Sequence, residues 1–318
     1  MRYRLFGSAG LRVSEFALGT MTFGERMDWG IDARAARPIL DAYAEAGGTF
    51  IDTANRYAEG AAERIVGDFL RADRDRFVVG TKYTLQLRPG DLNSEGIHRK
   101  NMMRSIEASL RSLGTDYVDV LWVHTREPWT PVAEVMRGLD DLVRSGKVLY
   151  VGVSDWPAWE IAEANTMAEL RGWTSFAGLQ SRYNLLERTP ERELIPMADS
   201  FGMSLVAWGP LAEGRLTGKY LADGHGRLRT GVAAEIFQHS HAGPDDVVHL
   251  LTELATRSGH TSAQLALAWL RSRGALPLVG ATNANQLREN LTAVDLDPTQ
   301  LEALTRATTP TLGFPHNI

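Results

Sequence analysis

"VDVLWVHT", residues 118–125, decides the architecture. It is a short, nearly continuous apolar run, the pattern of a strand buried on both faces, and it ends in a histidine. Seven further runs share its character: "FALGTM" (16–21), "TFIDTA" (49–54), "FVVGTKY" (77–83), "VLYVGVSD" (148–155), "FAGLQSRYN" (176–184), "MSLVAWGP" (203–210) and "ALPLVGAT" (275–282). Amphipathic helical stretches lie between them. "DARAARPILDAYAEAG" carries Ile39, Leu40, Tyr43 and Ala44 at helical spacing, with Gly47 placed as a C-terminal cap. "NMMRSIEASLRSLG" aligns Met102, Ile106, Leu110 and Leu113 and stops at Gly114. "TPVAEVMRGLDDLVRSG" opens on Thr130-Pro131, a pair suited to a helix start, and "TSAQLALAWLRSRG" repeats the plan before the last run. Strand and helix alternating eight times predict an α/β fold, a (β/α)₈ TIM barrel formed by residues 1–318 as one domain.

Two segments break the rhythm. "YRLFGSAGLRVSEF" reads as an N-terminal hairpin turning around Ser8 to Gly10, a plug for the bottom of the barrel. The widest gap in the series runs from Met203 to Ala275, which predicts a long loop after strand seven. A long loop at the catalytic end of a barrel is usually functional.

Composition narrows the class. The 318 residues are 44% hydrophobic and 23% charged, ordinary for a globular protein. A net charge of −5 argues against nucleic-acid and anionic-membrane partners. No run approaches the length of a membrane span, and "MRYRLFGSAGLRVSEF" lacks the apolar core of a signal peptide, so a cytoplasmic location is expected. With no cysteine, disulfides, thiolate metal sites and thiol nucleophiles are excluded. Neither a GxGxxG nor a Walker A loop occurs. His239, His241, Asp245 and His249 have spacings a metal could use, but they span a polar loop entering a helix, where Asp245 and Asp246 suit the helix N-terminus; no metal is expected.

In such a barrel chemistry sits at the carboxyl ends of the strands. The second run ends in Asp52, the third in Lys82 and the fourth in His124, and Tyr57 follows Asp52 by five residues. Only four of the 34 cationic residues are lysines, so a lysine at a strand end stands out. An ammonium favours the phenolate and lowers a tyrosine pKa, a carboxylate keeps the ammonium charged, and a histidine can donate to an oxygen gaining negative charge. Together they suit protonation of an alkoxide as hydride reaches a carbonyl carbon. Singly, each has an ordinary structural reading; four in order at strand ends do not.

The sequence resembles the aldo-keto reductases over essentially its whole length, through "LGTMTFG", "FIDTANRYAEGAAERIVG", "VGTKY", "LRSLGTDYVDVLWVH", "GKVLYVGVSD", "WGPLAEGRLTGKY" and "GATNANQLRENL". The family's spaced Asp, Tyr and Glu fall on Asp52, Tyr57 and Glu63, and its Lys and His on Lys82 and His124. The resemblance implies nicotinamide-dependent carbonyl reduction, with Tyr57 the acid, Lys82 tuning it, Asp52 pairing with Lys82, and His124 orienting the carbonyl. It places cofactor contacts at Thr20, Met21, Ser154, Asp155, Gln180, Trp208, Gly209, Pro210, Leu211, Gly214, Leu216, Gly218 and Lys219. At the adenosine end it places Gly280, Ala281, Thr282, Gln286, Glu289 and Asn290. Trp208 would stack on the nicotinamide, its alternative being a core aromatic capping the barrel. Phe23, Trp29, Tyr83, Trp129 and Trp156, with the tail "TLGFPHNI", are expected around the mouth and suit a hydrophobic or flat carbonyl compound, or a sugar; each aromatic could equally pack beneath its loop.

Three departures from the family pattern stand out. Asp155 replaces the usual Asn after Ser154, and Gly209 replaces the Ser after the stacking aromatic. Thr282 stands where close relatives carry an Arg for the 2'-phosphate of NADP. NADPH is the expected cofactor, and Thr282 keeps NADH open. Two other functions are consistent with these residues: a regulatory barrel similar to potassium-channel β subunits, against which the short segment before the barrel weighs, and a lyase using Lys82 as a Schiff-base amine. A small-molecule carbonyl substrate is expected, and homo-oligomerisation stays open.

Overall fold

The computed structural model of the protein describes residues 1–25, 29–221 and 245–316. Each of the eight apolar runs forms a strand, and the eight close into a parallel barrel. After a short hairpin, β1 (Tyr3–Leu5) and β2 (Arg12–Ser14), the barrel strands are β3 (Ala17–Gly19), β4 (Phe50–Asp52), β5 (Val78–Tyr83) and β6 (Val118–Val123). They continue as β7 (Val148–Ser154), β8 (Phe176–Arg182), β9 (Ser204–Trp208) and β10 (Leu276–Val279), with β10 paired to β3. Neighbouring strands come in chain order around the barrel, as short right-handed crossovers dictate.

The described helices are α1 (Ala33–Glu45), α2 (Ala61–Leu70), α3 (Arg99–Leu113), α4 (Val132–Arg144), α5 (Ala158–Arg171) and α6 (Leu194–Ser200). They continue as α7 (Asp245–Ser258), α8 (Ser262–Ser272), α9 (Ala284–Leu291) and α10 (Pro298–Ala307). Local chemistry explains their limits. Asp32 caps α1 by accepting from Ala35 N–H, and Thr261 and Gln264 form a reciprocal box at the start of α8. Gly114 ends α3 in the left-handed conformation. The expected Thr130 cap does not form: α4 starts after Pro131 with no side-chain cap, and the Thr130 hydroxyl bonds Glu127.

The hairpin delivers Phe6 into the barrel. Phe6 is fully buried and meets Phe50 and Trp122 edge-on, at ring centroid distances of 5.7 and 6.1 Å. Trp122 fills the middle of the lumen, and three strands make room for it. A Cβ at Gly152 would lie 2.3 Å from the indole, at Gly178 2.9 Å and at Gly80 2.8 Å. Gly80 also leaves space for Asp52, whose Oδ1 would be 3.3 Å from such a Cβ. One large ring over three glycines is how this barrel reaches close packing while supporting a polar layer above.

Side-chain alternation along β5 decides which residues face that layer. Val78, Gly80 and Lys82 point into the lumen, whereas Val79 and Tyr83 join the core between barrel and helices, and Thr81 reaches Glu63 of α2. Tyr83, expected at the mouth, is therefore 1% exposed, with its hydroxyl donating to Ile97 C=O. Phe23 and Trp156 are buried in the same outer core and support the rim from beneath.

Candidate active site

Asp52, Tyr57, Lys82 and His124 meet at the carboxyl end of the barrel. Lys82 and Asp52 are fully buried and form an ion pair. The Lys82 ammonium also donates to Thr53 C=O at 2.9 Å and to the Tyr57 hydroxyl at 3.2 Å. A lysine has three N–H donors, and all three are used. Asp52 Oδ1 accepts from Gln180 Nε2 at 3.1 Å, so β8 joins the network. Tyr57 also meets His124 ring to ring, centroids 6.0 Å apart and nearly perpendicular.

The loop that holds Tyr57 is strained. Ala58 and Glu59, directly after it, have φ of 44° and 54°, a region non-glycine residues rarely occupy. Packing holds it there: a Cβ at Gly24 would lie 2.3 Å from Ala58 Cβ. Glu63, on α2 just beyond, accepts from Thr81 Oγ1 at 2.6 Å and anchors the loop to β5. Its motif role here is support, one strand position from Lys82.

Electrostatics follow from burial. Burial opposes the charge on Lys82, but Asp52 and then Tyr57 outweigh it and raise its pKa above the ordinary lysine value. Burial pushes the Asp52 carboxyl up, with Lys82 and Gln180 pulling it back. Burial raises the Tyr57 pKa, against the pull of Lys82. The simple expectation of a lowered Tyr57 pKa is thus reversed: the phenol stays protonated. Burial and the Lys82 charge lower His124 to about 3, leaving a neutral imidazole. Its Nδ1 is buried without a partner among the described residues.

Around this centre, Ser154 and Gln180 are buried neighbours in the β7–β8 register, and Trp208 ends β9 half-exposed. The Trp208 indole N–H donates to Asp155 Oδ1 at 3.0 Å. Thr20 is buried, with its hydroxyl on Asp52 C=O, while Met21 is partly exposed beside it. The loop from Gly209 and Pro210 through Leu211 to Lys219 turns on left-handed residues, among them Gly209, Gly214 and Gly218. The N–H groups of Gly214, Leu216 and Gly218 bond back into it. Before α9 and along it, Gly280, Thr282, Gln286 and Glu289 are exposed, while Ala281 and, in the last turn, Asn290 are buried. Asn290 Nδ2 has no partner among the described residues. Arg288 reaches Glu45 and Asn285, not this helix start.

Of the expected rim, Trp129 is 87% exposed, Trp29 is half-buried, and the tail meets the loop before α6 through His316 and Glu193. His239 and His241 lie outside the described residues, Asp245 pairs with Arg215, and no metal-binding cluster occurs among the described residues. Two features escaped the sequence reading. Arg182, two residues beyond Gln180 on β8, sets its guanidinium 5.7 Å from the Trp208 ring and pairs with Glu213 at 3.5 Å. The i, i+2 spacing from Gln180 was its signal. Asn55, between Asp52 and Tyr57, is 4% exposed with neither amide atom partnered among the described residues.

The Aldo/keto reductase family model matches residues 15–308. The chain belongs to the aldo/keto reductase family. It is 37% identical to a norsolorinic acid reductase of Emericella nidulans, over 96% of this chain and 81% of that protein. It is 35% identical to a putative aryl-alcohol dehydrogenase of Schizosaccharomyces pombe, over 92% of this chain and 91% of the other. An aldo-keto reductase of Aspergillus calidoustus matches at 34% over the whole chain and 84% of its own length. Family membership makes the chain an oxidoreductase of carbonyl and alcohol groups. Among the described residues no helix is long and apolar enough to cross a membrane.

Two measurements probe this site without substrate. Lys82→Met strands a buried carboxylate and is expected to cost about 3–5 kcal/mol in urea unfolding, with much of the loss recovered in Lys82→Met/Asp52→Asn. His124 is depressed from 6.5 to about 3 in the folded chain, so the unfolded chain binds the extra proton between those values. Its contribution is complete above about 6.5 and is lost as pH falls toward 3. Plotted against pH, the unfolding midpoint of His124→Gln should fall less steeply across that window than that of wild type; parallel curves would refute the assignment.

Proposed function

We propose that this protein reduces an aldehyde or ketone to an alcohol, with hydride from a reduced nicotinamide cofactor and the proton from Tyr57. The observation that carries this reading is the Lys82–Tyr57 hydrogen bond. The Tyr57 oxygen accepts from Lys82, so its own O–H is free to point at a substrate oxygen. As that proton leaves, the ammonium beside it stabilises the phenolate. His124, neutral, adds a hydrogen bond to the same oxygen and fixes the carbonyl.

The residues present fit a nicotinamide cofactor. Trp208 offers a half-exposed indole at the end of β9, and Ser154 and Gln180 are paired neighbours on β7 and β8. The buried Asn290 Nδ2, without a partner among the described residues, lies on α9. When bound, the cofactor supplies hydride; the chain supplies orientation, dry surroundings and the proton. Trp208 would hold the ring, and the start of α9 would hold the adenosine phosphate end. NADPH is the family's expected cofactor, but Thr282, Asn283 and Gln286 carry no charge, and Arg288 is turned toward Glu45. We therefore propose that NADPH and NADH are both used, with a modest preference for NADPH.

The substrate class is a flat, aromatic carbonyl compound. Trp29 and Trp129 at the rim support this, as do relatives named for an aryl alcohol and for norsolorinic acid. The Schiff-base alternative needs a neutral amine, whereas Lys82 has all three protons engaged and a raised pKa.

The test is loss of nicotinamide absorbance with an aromatic aldehyde, run with NADPH and with NADH. Wild type should turn over with both, while Tyr57→Phe should lose about 10²–10⁴-fold in kcat with cofactor Kd nearly unchanged. Wild-type turnover by Tyr57→Phe would remove the proposed acid.

A further inference from the structure

Asp155 follows β7 at the mouth, and its carboxylate is placed with some cost. Its backbone is left-handed, φ 54°. Its N–H points to Gln180 C=O at 3.4 Å, and Oδ1 accepts from the Trp208 indole N–H at 3.0 Å. Through its backbone N–H and its side chain, this one residue thus ties the ends of β7, β8 and β9 together beside the Lys82–Tyr57 centre.

Burial raises the Asp155 carboxyl pKa against hydrogen bonds from Trp208 and Ser154. The charges of Lys82 and Arg182 also pull it down, each while held in an ion pair of its own. Lys82 is paired with Asp52. Arg182, over the Trp208 ring, is paired with Glu213 at 3.5 Å. Asp155 forms no ion pair among the described residues. Its field nevertheless reaches the centre: burial chiefly raises the Tyr57 pKa, and the charges of Asp52 and, more weakly, Asp155 add to it. Any carbonyl oxygen bonded to Tyr57 has its carbon about one bond length farther on, and the hydride-donating ring must touch that carbon. A charge felt at the Tyr57 hydroxyl and fixed to the Trp208 indole is therefore felt by the ring.

We propose that Asp155 is a specificity-determining residue that makes this site favour the oxidised, cationic nicotinamide over the reduced, neutral one. The proposal rests on the nicotinamide-dependent reading above and deepens it. A carboxylate beside the ring stabilises the positive charge that the ring carries once hydride has left. On the protein, the balance then shifts toward alcohol and oxidised cofactor, and release of oxidised cofactor slows. An asparagine in the same place would hold the indole equally well and leave that balance alone.

That equivalence makes Asp155→Asn a clean test. Asparagine tolerates a left-handed backbone, is nearly isosteric, and still accepts from the indole N–H. Kd values for NADP⁺ and NADPH would be measured by isothermal titration calorimetry for wild type, Asp155→Asn and Trp208→Phe. Removing a unit charge a few ångströms from the ring is expected to lower the preference for NADP⁺ over NADPH by about ten- to a thousandfold, the range between the permittivity of water and that of a protein surface. Trp208→Phe keeps the carboxylate and loses the indole N–H, so it should weaken both cofactors while holding their ratio within about twofold. If Asp155→Asn weakens both forms equally, or changes neither, Asp155 is structural and the proposal is overturned. If wild type binds neither form, the nicotinamide reading itself fails, and the proposal falls with it.

Discussion

The buried ammonium of Lys82 is the constraint around which the site is built. A lysine with no solvent contact is costly unless every proton is bonded and its charge is met. Here the three protons go to an Asp52 oxygen, the Thr53 carbonyl and the Tyr57 hydroxyl, and Asp52 in turn holds Gln180. Meeting that requirement fixes side chains from β4, β5 and β8 and the strained loop after β4. It also spends the acceptor capacity of Tyr57 on lysine and leaves its proton to give.

The apolar lumen beneath makes this affordable in space. Trp122 lies across Gly80, Gly152 and Gly178, and Phe6 from the hairpin closes the bottom against Phe50. A larger residue at Gly80 would press on both the indole and the Asp52 carboxylate. Barrel packing and ion-pair geometry are therefore one problem, solved by glycines at three inward-facing positions around Trp122.

Much of this was legible in the sequence, for identifiable reasons. Strands buried on both faces leave apolar runs that need no partner to recognise, so all eight were visible. Asp52, Lys82 and His124 sit at the ends of those runs, where a barrel does its chemistry. Tyr83 was misread because adjacency to Lys82 in sequence means the opposite face in a strand. For Phe23 and Trp156, sequence leaves rim and core equally open, and the structure takes the core because loop aromatics pack downward when the outer core has room for them. Arg182 over Trp208, and Asp155 bonded to its N–H, join different strands, and no local pattern records such pairings. The sign of the Tyr57 shift depended on burial outweighing Lys82, a balance of magnitudes that residue types alone do not give.

The central claim is that a substrate carbonyl is held by Tyr57 in front of a nicotinamide ring resting on Trp208. The most direct test is a crystal structure with reduced cofactor and an aromatic carbonyl compound that resists reduction. The account predicts the ring against the Trp208 indole and the carbonyl oxygen within hydrogen-bond distance of Tyr57 Oη and His124. A carbonyl bound away from Tyr57, or a nicotinamide ring held elsewhere than on Trp208, would contradict it.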